Sequence, residues 1–307
     1  MRNQPEVSPE LNQFIKLQDP SSLARRGFLK GSLCTFVLPA LSSLGLVSCG
    51  GSRFVAPTPR LTSVNNFRDV AGANDQEAYS TSSGLKLNRG VIYRSNFLVP
   101  SAADLETLNT LNLQVDHDLR TPAEIAAHPD TSLPGTRYQN INLQGTPANP
   151  TPVLNSIADA VSYMENSYIA FVTDSGRRAR LAQVFENLAT TSGPQVYHCS
   201  GGKDRTGWVT TILLTILGVP QDVIVQDYLL TNVYSEASIQ LSYEQMVTTN
   251  GKSIADIYFP LFIADQRYLF ASLNQVATSY GTMTSYINDG LGLRPIVQRQ
   301  LRDKFLT

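Results

Sequence analysis

The sequence predicts an α/β fold with a central sheet, helices on its faces and a helical C-terminal part. Three observations carry this. Short strand-like runs alternate with helical patterns between residues 90 and 217. The strand-like run 195–197 passes through a glycine-rich turn straight into the apolar run 208–214. Beyond about residue 220 the patterning is mostly helical. A composition of 42% apolar and 16% charged residues is ordinary for a globular chain. The 307 residues allow one large domain or two small ones. A net charge of -1 gives no footprint for nucleic acid, so none is expected as a partner.

The N-terminus reads as a targeting segment. Residues 1–24 are polar and carry Pro5, Pro9 and Pro20. Arg25-Arg26-Gly27-Phe28-Leu29-Lys30 then precedes an uncharged apolar stretch, 31–47, interrupted by Pro39 and Gly45. That length suits the apolar core and cleavage region of a signal peptide and is short for a spanning helix. The paired arginines resemble a twin-arginine export signal. Leu46-Val47-Ser48-Cys49 resembles a bacterial lipobox, whose cysteine is lipidated and becomes the new N-terminus. The alternative is an uncleaved membrane anchor. The expectation is a signal peptide over 1–48, a Gly/Pro tether over 49–60 and one folded domain over 61–307. The protein would be exported and held at the bacterial cell envelope, periplasmic or outer face, through lipid on Cys49. Of the three cysteines, Cys34, Cys49 and Cys199, such processing leaves only Cys199 as a free thiol.

Within the domain, residues 90–95 read as a strand. Ser101-Ala102-Ala103-Asp104 looks like a capping box, followed by Leu105, Leu108 and Leu111 at helical spacing. Residues 115–119 are the next strand. Thr121-Pro122-Ala123-Glu124 is a second capping box with proline at the first helical position. Residues 137–143 alternate like a half-buried strand, and 145–152 form a loop. Residues 155–170 and 175–190 read as helices. After the 195–197 strand and its turn, one helix runs to Gly218 and another from Pro220 to about Leu230.

The turn His198-Cys199-Ser200-Gly201-Gly202-Lys203-Asp204-Arg205-Thr206-Gly207 carries the chemistry. Strand, glycine-rich turn and helix N-terminus together cradle a phosphate. A cysteine at the start of that cradle makes it nucleophilic. A free thiol titrates near ~8.5 and falls to roughly 3.5–7.5 among amides and cations at a helix N-terminus. Arg205 offers a planar fork for two phosphate oxygens. Gly201 and Gly202 permit left-handed backbone and close amide approach. Ser200, Gly201, Gly202, Lys203 and Thr206 are expected to line the bound phosphate, with Thr206 capping the helix and bonding the thiolate. His198 is expected to orient the loop. A metal held by His198 and Cys199 is not expected, because adjacent side chains point apart and only Asp204, His117 and His128 would remain as ligands. No cofactor is expected.

The segment resembles the signature of protein tyrosine phosphatases, and more narrowly that of the atypical bacterial members. Asn66-Phe67-Arg68-Asp69-Val70-Ala71-Gly72 is similar to that family's N-terminal motif, with Ala71 where a glycine is usual. Tyr93-Arg94-Ser95, Asp118-Leu119-Arg120-Thr121, Asp227-Tyr228-Leu229-Leu230-Thr231-Asn232, Tyr280-Gly281 and Gly290-Leu291-Gly292-Leu293 also fit. The resemblance runs from about residue 61 to 305. It implies a three-layer sandwich with a mostly parallel sheet. It implies hydrolysis of phosphate monoesters through a phosphocysteine on Cys199, with phosphorylated protein or phospholipid as the substrate partner. Protein phosphotyrosine is the leading substrate; phosphoinositides and an inactive phosphate-binding module are the alternatives. No Trp-Pro-Asp sequence is present, since the only tryptophan is Trp208. The resemblance therefore assigns the general acid and base to Asp204, inside the signature, with Asp118 in reserve. It also suggests Lys203 as a second cation for acidic headgroups. Arg68 and Arg94 either support the loop or form structural ion pairs. Tyr163, Tyr168 and Phe171 fit either a lid over the site or the core.

Overall fold

The computed structural model describes residues 58–72 and 77–307. The expected signal peptide, Cys49 and most of the tether lie outside them. Five strands form one sheet in the order β1-β2-β5-β3-β4. These are β1 (Arg68–Asp69), β2 (Ile92–Ser95), β3 (Val115–Asp118), β4 (Arg137–Asn140) and β5 (Gln195–His198). Only β1 runs antiparallel to its neighbour. β5 is the middle strand, and its four residues are buried. Register places Ser95 and Asp118 on either side of His198. The carboxyl ends of three parallel strands therefore finish level, at the edge where α/β sheets place their sites.

Alternation along the strands separates two cores. Tyr93 and Val196 pack with Phe67, Leu98, Leu108 and Leu113 beneath α1 (Ala102–Thr110). Ile92 and Tyr197 face the larger core on the other side. That core contains α3 (Ile157–Thr173), α4 (Ser175–Thr190), α5 (Asp204–Leu217) and α6 (Gln221–Tyr234). Helices α7 (Glu236–Asn250), α8 (Lys252–Tyr258), α9 (Gln266–Tyr280), α10 (Met283–Ser285) and α11 (Pro295–Phe305) complete the C-terminal part. α9 packs on α3, and α11 packs on α4 and α5. The result is the expected α/β sandwich, with a mostly parallel sheet between helical layers. α5 is buried on nearly every side, including Trp208, and ends at Gly218 in the left-handed region.

Local chemistry explains where elements begin and end. α2 (Pro122–Ala127) starts with the full capping box: Thr121 N–H donates to Glu124 Oε2 at 2.9 Å, and Glu124 N–H to Thr121 Oγ1 at 3.3 Å. At α1 only half of the expected box forms. Ser101 caps Asp104 N–H, but the shorter Asp104 carboxylate accepts from Thr62 and Ser63 N–H instead, pinning the start of the domain. β4 is shorter than the 137–143 alternation predicts. Its four residues lie mostly exposed at the sheet edge, and burial begins only at Ile141 and Leu143. Their amides follow the Asp118 and Leu119 carbonyls past the end of β3.

The buried charge of Asp227, from α6, joins helix to sheet. Its carboxylate meets Arg94 Nη1 at 2.9 Å and Arg68 Nε at 3.3 Å, with Tyr79 OH at 3.2 Å. Burial works against these charges. The two guanidiniums nevertheless hold the Asp227 carboxyl below its ordinary range. Asp227→Ala would leave two guanidiniums buried without that partner. Urea unfolding of this variant should show a loss of about 3–5 kcal/mol.

Candidate active site

Cys199 directly follows β5, and 199–203 form the turn into α5. The turn is shaped from outside. Phe97 N–H donates to Ser200 O at 3.4 Å. Asn66 Nδ2 donates to Gly201 O at 3.4 Å and to Gly202 O at 2.7 Å. Arg94 Nη2 donates to Gly202 O at 2.8 Å. Among the described residues no peptide is cis. In a trans peptide the C=O and the following N–H point in opposite directions. The amides of Gly201, Gly202 and Lys203 therefore face the inside of the turn, an anion-binding nest at the head of α5. Only glycine suits position 202: φ is +64°, and a Cβ would stand 2.3 Å from Ser95 O. Arg68 bonds Asn66 Oδ1, which turns the Asn66 amide nitrogen toward the loop. Arg68 and Arg94 thus serve both readings at once, loop support and ion pair.

Cys199 is buried and unbridged. Arg205 is held by Glu124 through two bonds, Nη1 to Oε2 at 2.7 Å and Nη2 to Oε1 at 2.6 Å. Ser200 Oγ donates to the same Oε1 at 2.6 Å. Burial raises the Glu124 carboxyl, but Arg205 and these bonds outweigh it and bring it to about 2. Burial likewise opposes the Arg205 charge, and Cys199 and Glu124 more than restore it. Glu124 is absent from the residues assigned from sequence. Its signal was visible only as a helix cap, and its place at the site came from the fold.

Asp204 opens α5 with its side chain about one-third exposed, at 34%. Its Oδ1 accepts from Tyr168 OH at 2.9 Å, and Lys203 Nζ lies 3.2 Å away. Tyr168 is fully buried in α3, and its hydroxyl also meets Tyr228 OH at 2.8 Å. It belongs to the core and reaches the site from there. Phe171 is core, and Tyr163 packs against it half-buried. Lys203 also donates to Ile263 O at 2.9 Å, so its ammonium is held by one hydrogen bond and one ion pair. Asp118 is buried in a two-pronged pair with Arg120, at 2.9 and 2.8 Å, and accepts from Tyr138 OH at 2.8 Å. Burial pushes its carboxyl up, and Arg120 brings it below the ordinary range. Thr206 is not the helix cap. α5 begins at Asp204, with Lys203 at the N-cap and no side-chain cap bond, so Thr206 lies within the first turn. His198 Nδ1 meets Cys199 O at 3.3 Å, consistent with orienting the loop.

Glu124→Gln keeps an oxygen for the helix cap and removes the charge facing Arg205. Steady-state assays on an aryl phosphate should show kcat/KM lower by about 10–100-fold. The wild-type carboxyl ionises below its ordinary value of 4.5. Its contribution to stability is therefore present above that pH and is lost as pH falls toward about 2. Acid titration of the variant should lack that component.

Residues 59–307 match the model of the tyrosine phosphatase family. A protein of Cupriavidus necator assigned as a tyrosine-protein phosphatase is 30% identical over 270 residues, covering 84% of this chain and 96% of its own. A tyrosine-protein phosphatase of Nostoc commune is 33% identical over 47% of this chain and 48% of its own. The triple specificity protein phosphatase PtpB of Mycobacterium tuberculosis is 32% identical over 44% of this chain and 52% of its own. A glycine-rich turn seated at the end of the middle strand, inside a match over residues 59–307, leads to one assignment: the chain belongs to the tyrosine phosphatase family and is a phosphatase.

Proposed function

We propose that the protein hydrolyses protein phosphotyrosine through a phosphocysteine on Cys199. The observation that carries this reading is the turn whose carbonyls are tied outward around a free cysteine. The bound phosphate lies against the amides of Gly201, Gly202 and Lys203, with Arg205 supplying a fork and Ser200 a hydroxyl. The Cys199 thiolate attacks phosphorus in line, and the S–P bond forms as the P–O bond to the tyrosyl oxygen breaks. Asp204 gives its proton to that leaving oxygen. Asp204 then takes a proton from the water that attacks the phosphocysteine, which releases inorganic phosphate and restores the thiolate. The partial exposure of Asp204 supports this role, and the pairing of Asp118 with Arg120 disfavours it as the acid. Two engagements on Lys203 leave it little freedom to seek a further ring phosphate, so the phosphoinositide reading ranks second.

The export signal completes the proposal. Arg25-Arg26 and Cys49 would deliver a folded, lipid-anchored enzyme to the cell envelope, where Cys199 has no partner thiol within the mature chain.

Turnover should be measured on matched phosphotyrosine peptides, phosphoserine peptides and phosphoinositides. Phosphotyrosine should be hydrolysed fastest, and Cys199→Ser should abolish turnover while retaining phosphate binding. Full activity in that variant would sink the mechanism. Asp204→Asn should slow alkyl phosphates by about 10²–10⁴-fold, and aryl phosphates with good leaving groups far less. Equal effects on both would remove Asp204 from the acid role. In cells fed radiolabelled palmitate, label should enter the wild type and not Cys49→Ser; label in the variant would end the lipid-anchor reading.

A further inference from the structure

A second cluster of chemistry-bearing side chains sits beside the nucleophile strand and is unused by the hydrolytic reaction. Asp116 and Asp118 lie two apart on β3 and share a face. His198, at the end of β5, and Asp130, from the segment after α2, converge on them. His198 Nε2 stands 3.1 Å from Asp116 Oδ1 and 3.6 Å from Asp130 Oδ2. The three side chains are 0%, 6% and 7% exposed. His198 Nε2 and Asp116 Oδ1 stand within ion-pair distance of each other, and neither has any other hydrogen-bond partner. Leaving a polar atom buried and unsatisfied costs about 1–3 kcal/mol, so two facing each other call for an explanation.

We propose that Asp116, Asp130 and His198 form a binding site for one first-row divalent cation, Mn²⁺ or Zn²⁺. Their ligand atoms all lie within 4.8 Å of one another. Two ligands each about 2.1 Å from one ion stand roughly 3.0–3.4 Å apart, close to the separations found here. The supporting contacts are those that metal ligands usually have. The Cys199 carbonyl accepts from His198 Nδ1, which leaves the Nε2 lone pair free. Asp130 Oδ1 accepts from Leu98 N–H at 2.7 Å, and its Oδ2 accepts from Arg120. Charge also fits. With a neutral imidazole, the carboxylates of Asp116, Asp118 and Asp130 exceed the single Arg120 by two charges, which one divalent ion cancels. A cavity of about 300 Å³ reaches Asp116 and Asp130 beside Tyr138, giving the ion an entry path and room for bound water.

The ion would lock the ring that bonds the Cys199 carbonyl, coupling this site to the start of the phosphate loop.

The test is Mn²⁺ titration of the chelator-stripped full chain by electron paramagnetic resonance. A Cys199→Ser background removes the competing thiolate. One Mn²⁺ should bind per chain, with imidazole nitrogen coupling in the spin-echo modulation. Asp116→Asn should weaken binding at least tenfold, and the exposed Glu106→Gln should leave it unchanged. No saturable binding, bound Mn²⁺ without nitrogen coupling, or unaltered affinity in Asp116→Asn would each overturn the proposal. The nitrogen coupling is read on an unaltered site, so it decides the matter even where a variant misfolds.

Discussion

The carbonyl of Gly202 is the point on which the site depends. A peptide turned so that its oxygen meets Arg94 and Asn66 must present the next amide to the other side. Arg94 can do this because Asp227 holds it in place, and Asn66 because Arg68, on the same aspartate, fixes its amide. One buried carboxylate on α6 therefore sets the direction of the glycine-rich loop through two strands. This arrangement costs desolvation of three charges, and a hydrophobic substitute of equal shape would serve stability as well. What it supplies is orientation: a guanidinium can hold an aspartate and a carbonyl at once.

The other groups around the loop are oriented in the same indirect way, each from a different element. Glu124 closes the capping box of α2 through Oε2 and uses both carboxylate oxygens to hold Arg205 and Ser200. Tyr168 reaches Asp204 from the core of α3, braced by Tyr228 of α6. His198 meets the Cys199 carbonyl while its far nitrogen faces Asp116 and Asp130. Movement of any of these helices against the sheet would thus reach the loop.

Much of this was legible in the sequence because it is local. The strand, turn and helix around Cys199 occupy consecutive residues, and the Thr121–Glu124 cap follows from a four-residue pattern. The partners were not legible. Glu124 lies 81 positions from Arg205, and Asp227 lies 133 from Arg94; no periodicity links residues so far apart. Asp116 gave no signal either, since one aspartate in a strand reads as a misplaced polar residue until β5 brings His198 beside it. Two local readings failed for local reasons. Asp104 is too short to close its capping box, and α5 starts before Thr206 because the loop leads directly into its first turn.

The inward amides can be watched directly. The protein should be titrated with tungstate, an unreactive phosphate analogue, while the amide ¹⁵N–¹H resonances of Gly201, Gly202 and Lys203 are followed. Amides that point into the loop should shift downfield together and saturate along one binding curve. Three resonances that stay fixed while tungstate inhibits hydrolysis would mean that the carbonyls, not the amides, line the site.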